Sequence, residues 1–108
     1  MTDARVVLVT GPDVETLAAI ARALLEERLI ACANLVDGLR SIFRWQGEVA
    51  EEGEALAILK TTADRVEALR ARVLELHPYD VPEFLVLPVT DGSAAYLDWV
   101  ATAVEADG

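Results

Sequence analysis

Positive charge is scarce in this chain and thiols are almost absent. Its 108 residues carry 9 Lys and Arg against 19 Asp and Glu, a formal charge of -10, with one cysteine and one histidine. No Lys/Arg-rich run offsets that balance locally, so the averaged field repels phosphodiesters and predicts no nucleic-acid partner. A single thiol, Cys32, excludes an intrachain disulfide. The CxxC, HxxxH and HExxH spacings that close a metal site within one chain are missing. So are GxSxG, GxGxxG and Walker loops, and one His far in sequence from one Cys is weak support for a catalytic dyad. The composition therefore predicts a protein that is not an enzyme. No apolar run is long enough to span a bilayer, and Met1-Thr2-Asp3-Ala4-Arg5 has no basic segment feeding an apolar one. With a lone thiol, these features predict a cytoplasmic protein without membrane attachment.

What the chain does have is patterning sufficient for one domain over residues 1–108. Val6-Val7-Leu8-Val9 is a β-branched run of strand length, closed by Gly11-Pro12-Asp13, which supplies turn chemistry and a helix N-cap. Leu17, Ala21, Leu24 and Leu25 then recur at helical spacing to about Glu27. Ile30 to Val36 reads as a strand that Gly38 breaks. Leu39 to Trp45 resumes the extended pattern, Gln46-Gly47 turns the chain, and Glu54 to Lys60 returns as the partner strand. Asp64 is placed to cap a second helix whose Val66, Leu69, Val73 and Leu76 repeat at three and four. Phe84 to Val89 is the next strand, and a last helix runs from Ser93 to about Glu105. The order β-α-β-β-α-β plus a helix predicts an α+β, ferredoxin-like sandwich with an additional C-terminal helix. Cys32, Leu35, Ile42, Phe43 and Leu56-Ala57-Ile58-Leu59 supply more strand-borne apolar surface than two helices hide, which predicts a subunit interface on the open face.

Four places carry residues of chemical interest. His77-Pro78-Tyr79-Asp80-Val81-Pro82-Glu83 gathers an imidazole, a phenol, two carboxylates and two prolines, either as a ligand cradle or as a rigid turn whose His ends a helix. Ser41 to Glu48 puts Phe43 and Trp45 on one side of a strand and Arg44 on the other, suited to a protein contact at a sheet edge or to stacking on a ligand. Lys60 ends an apolar strand, where its ammonium snorkels to water, pairs with a glutamate or meets an anionic ligand. Cys32 sits in an apolar strand with no adjacent cation in sequence, as befits an inert thiol. Glu48, Glu51, Glu52 and Glu54 cluster around the hairpin after Gln46-Gly47, either as collectors of hard cations or, the favoured reading, as a solvated charge run.

Taken together, Glu27 to Leu35, Ser41 to Glu48, Leu59-Lys60-Thr61-Thr62, His77 to Glu83 and Tyr96-Leu97-Asp98-Trp99 resemble the CutA family of divalent-cation tolerance proteins. The resemblance implies a tight homotrimer of ferredoxin-like subunits, similar to the PII signalling proteins, with Ile42, Phe43 and Trp45 on hairpins that pair between subunits. It implies cytoplasmic binding of divalent cations, copper(II) above all, with no catalytic reaction and no organic cofactor. The implied metal residues are His77 and Glu83. Some family members add a cysteine in the first strand and a second histidine before the HPY run, positions held here by Val9 and Leu76. In a trimer, Cys32, Lys60, Tyr79 and Trp99 are candidates to line an intersubunit cleft, and the alternative function is a PII-like sensor or scaffold that binds a small anionic ligand there.

Overall fold

A computed structural model of the chain describes residues 1–105. Its elements follow in the order β1 (Ala4–Gly11), α1 (Val14–Glu26), β2 (Cys32–Trp45), β3 (Glu48–Thr62), a 3-10 turn (Ala63–Arg65), α2 (Val66–Leu76), β4 (Leu85–Pro88) and α3 (Ala94–Ala103). The four strands form one antiparallel sheet in the order β2-β3-β1-β4, the ferredoxin-like arrangement that the sequence pattern predicts. Asp13 starts α1 because its carboxylate accepts the Thr16 N–H at 2.7 Å. That bond lowers its pKa from the ordinary carboxylate value. Asp64 does not cap α2 in the same way. It lies inside the 3-10 turn and accepts from the Thr62 hydroxyl instead.

One sheet face carries the core. Val7 and Val9 of β1, and Ala55, Ala57 and Leu59 of β3, pack with Leu17, Ile20 and Leu24 of α1 and with Leu69 and Val73 of α2. The alternate residues point the other way by strand periodicity: Val6 and Leu8, Leu56 and Ile58, Val36, Leu85 and Leu87. Helix α3 covers only part of this second face. Its Val100 and Val104 form a small separate cluster with Ala31, and Val36, Leu85 and Leu87 stay exposed.

The hairpin is longer than its sequence pattern suggests. β3 begins at Glu48, six residues before the expected start, and every residue from Glu48 to Gly53 pairs with β2 alone. Gln46 and Gly47 turn the chain with positive φ of 51° and 82°, the left-handed pair that a two-residue hairpin turn requires. Gly38 does not end β2. It takes φ 78° in a bulge where the register slips between Val36 and Leu39, and the strand continues. Since Val36 lies opposite Leu56 and Leu39 opposite Glu54, Leu39, Ser41, Phe43 and Trp45 share the second face with Val36. The sheet thus narrows from four strands to two beyond Gly11, and the chain from His77 to Phe84 passes this step on its way to β4.

Candidate functional site

At that step lies a cleft of about 640 Å³, walled by Thr10 at the end of β1, Ser41, Phe43 and Trp45 of β2, Glu52 and Glu54 of β3, and Tyr79, Asp80, Val81 and Glu83 of the connecting segment. Pairing explains the wall: Ser41 faces Glu52, and Leu39 faces Glu54, so aromatic and acidic side chains project from one surface of the hairpin.

His77 fixes the segment in place. It ends α2, with its N–H bonded to the Val73 carbonyl at 2.9 Å and an extended φ/ψ of -75° and 139°, as the following Pro78 demands. The ring is 7% exposed. Its Nε2 lies 2.7 Å from the Thr10 carbonyl oxygen, and its Nδ1 accepts the Tyr79 backbone N–H at 3.1 Å. A carbonyl only accepts and an amide N–H only donates, so these partners assign the proton to Nε2 and the lone pair to Nδ1. Both ring nitrogens are spoken for.

Tyr79 follows at a ring-centroid distance of 4.7 Å from His77, and its hydroxyl donates to Glu54 Oε2 at 2.8 Å. Burial raises the phenol pKa, and the hydrogen bond and negative charge of Glu54 raise it further. The Glu83 carboxyl is likewise raised, first by burial and then by the field of Glu54. Glu83 therefore feels Glu54 across the cleft, in surroundings that already disfavour its own charge. Reading Glu54 as part of a solvated acidic run missed this, because only the register and the returning segment show that it turns inward.

Cys32, Lys60 and Trp99 gather elsewhere. Lys60 lies opposite Cys32 on β2, six residues along β3 from Glu54, which is about 20 Å of strand. Its ammonium lies 4.0 Å from Cys32 Sγ and donates to Asn34 Oδ1. The Tyr96 phenol of α3 interacts with the Cys32 thiol and packs on Trp99 at 5.5 Å between ring centroids. Lys60 is the one lysine in the sequence, and among the described residues it forms no ion pair. Tyr79 alone of the expected cleft residues borders the acidic site. Ile42, Phe43 and Trp45 stand on the hairpin arm, where Ile42 is 64% and Trp45 52% exposed.

Among the described residues no three His, Cys, Asp or Glu side chains converge as a ready metal cage. Both nitrogens of His77 are already engaged in hydrogen bonds. The oxygen donors of Glu54 and Glu83 do fit a divalent cation, whose charge offsets their mutual repulsion.

A family model described as CutA1 divalent ion tolerance protein matches residues 5–103. The divalent-cation tolerance protein CutA of Thermus thermophilus is 54% identical over 95 residues, covering 88% of this chain and 92% of the relative. Among solved structures, a divalent cation tolerance protein from Thermus thermophilus superposes with a TM-score of 0.90 at 51% identity, covering 93% of this chain and 97% of that one. A protein named as periplasmic divalent cation tolerance protein CutA, from Archaeoglobus fulgidus, superposes with a TM-score of 0.91 at 31% identity, covering 94% and 99%.

Proposed function

This chain belongs to the CutA1 family of divalent ion tolerance proteins, and from that premise we propose that it binds divalent cations in the acidic cleft between the hairpin and the segment from Tyr79 to Glu83. The observation that carries this reading is the cleft itself, where Glu52, Glu54, Asp80 and Glu83 border one space and the field of Glu54 adds to the cost of ionising Glu83. A bound cation turns that repulsion into attraction. Copper(II) is the preferred occupant, because it heads the affinity order of divalent first-row ions for a given oxygen or nitrogen donor set. Two carboxylates leave coordination positions for water or for groups of a neighbouring copy. The role is binding without turnover, in the cytoplasm, as a homotrimer. Support for assembly comes from the uncovered Val36, Leu85 and Leu87 and from the exposed Ile42 and Trp45.

Calorimetric titration with copper(II), beside Glu54→Gln and Glu83→Gln, tests the reading. Saturable binding at a fixed ratio per chain that is lost in both variants is the expected result. Weak uptake indifferent to both variants leaves only diffuse attraction to an acidic surface and overturns it.

A second reading has its own observation. Lys60 carries the one ammonium side chain in a strongly acidic protein, yet its partners are Asn34 and Cys32 and, among the described residues, it forms no ion pair. A small anionic ligand would meet an uncompensated charge there, beside the Tyr96 and Trp99 rings. A ligand-induced rise in melting temperature that Lys60→Ala abolishes, with copper inert, selects this reading over the first.

A further inference from the structure

We infer that His77 is a positioning residue and not a metal ligand: its imidazole ties the connecting segment to the end of β1 and so sets Tyr79 and Glu83 against the hairpin. The inference rests on the cation reading of the cleft only for what the positioned residues bind.

The geometry is that of a two-sided strap. Nε2–H reaches the carbonyl of Thr10, a residue 67 positions earlier in the chain, while Nδ1 receives the N–H of Tyr79 two positions later. The first bond fixes where the segment crosses the sheet. The second makes a tight local turn in which the ring nitrogen takes the place that an Asn or Asp oxygen takes in an Asx-turn. Pro78 lies between the two bonded residues and removes a competing N–H. From this turn Tyr79 extends to Glu54 at 2.8 Å, so the strap connects β1, the segment and β3 through three successive hydrogen bonds.

A metal on His77 would cost one of these bonds. Ligation at Nε2 displaces a proton that the Thr10 carbonyl holds, and strands that carbonyl without its donor. Ligation at Nδ1 takes the lone pair from the Tyr79 N–H and loosens the turn that aims Tyr79 at Glu54. The ring is also buried, whereas the carboxylates of Glu54 and Glu83 already border the open cleft. The chemistry that would attract a cation and the imidazole that shapes the site are thus separate.

Nitrogen-15 NMR of the whole protein tests this, with zinc(II) as a diamagnetic divalent probe. The expected spectrum has His77 as the Nε2–H tautomer in the metal-free protein, the Tyr79 amide protected from exchange, and both ring-nitrogen shifts unchanged at zinc saturation. A large shift of either ring nitrogen on adding zinc, or the Nδ1–H tautomer without metal, overturns the proposal. His77→Gln keeps an N–H donor toward Thr10 but has no ring nitrogen to ligate, and should change zinc affinity by less than about tenfold, the lower end of what losing an outer-shell partner costs. Abolished zinc binding in a folded His77→Gln, with native protection at Tyr79, also overturns it. Should the native protein take up no zinc, and Glu83→Gln behave like it, the cation reading of the cleft fails alone. The tautomer and the Tyr79 amide then decide the strap by themselves.

Discussion

Glu83 is exposed as a residue, yet its carboxyl bears two unfavourable loads at once, loss of water against the cleft wall and a neighbouring carboxylate. Because its carboxyl is harder to ionise in the folded chain than in the unfolded one, the folded chain holds its proton to higher pH, and stability falls as pH rises through the interval between the two pKa values. Glu83→Gln should therefore raise the melting temperature near neutral pH, with the gain disappearing below the ordinary carboxylate range. Paired thermal melts at the two pH values check it, and a constant difference would contradict the stated cause. Protons and cations compete for the same carboxyl, so cation affinity should decline at a pH somewhat above that at which an exposed glutamate titrates. Tyr79→Phe deletes the donor that Glu54 accepts and should lower stability by about 1 kcal/mol in chemical denaturation. At this scale the sequence revealed which residues were chemically capable, His77 through Glu83, but not their partners. Thr10 and Glu54 are distant in sequence from that run, and only the fold brings them to it.

Elements were more legible than partners. The 3.6-residue recurrence of Leu17, Ala21 and Leu24 gave α1, and the β-branched run gave β1, because one face of each is buried and periodicity records that burial. The outer hairpin escaped that logic. Glu48 to Gly53 has hydrogen-bonding partners on one side only and little buried surface, so its hydrophobic pattern is weak where its backbone pairing is complete. Gln46 occupies a left-handed position that Asn tolerates better. Gln46→Asn should stabilise the chain by up to about 1 kcal/mol, measured by urea unfolding. Gly11 marks the opposite case. A Cβ there would lie 2.7 Å from Leu17 Cδ2 and 2.9 Å from its Cγ, against a leucine that is fully buried. Gly11→Ala should cost about 1–3 kcal/mol by overpacking the junction of β1 and α1.

For the whole molecule, the sheet has one face sealed by α1 and α2 and a second only partly roofed by α3. The apolar residues left over lie largely on strands and on the hairpin arm, which is why the sequence already showed a surplus of strand hydrophobicity. Which surface meets which is a property of several chains, and one sequence does not encode it in a local pattern. Trp45→Ala should shift the mass distribution toward smaller species in sedimentation while leaving the secondary structure of the chain intact, since the ring is half exposed within one chain. Unchanged mass and melting would remove the hairpin from the assembly.

The bulge at Gly38 sets the phase of everything beyond it. By adding one residue to β2 between Val36 and Leu39, it inverts the odd-even code for the outer arm: even-numbered positions face the second surface before it, odd-numbered ones after it. Were β2 to pair regularly through Asp37 and Gly38 instead, with no residue lost, Gly38 would fall opposite Glu54 and the two sets would exchange. Arg40 would then face Glu52 and Arg44 would face Glu48, and Phe43 and Trp45 would turn away. One glycine at positive φ, with no side chain of its own in the cleft, thereby decides between an acidic, aromatic wall and a zwitterionic one.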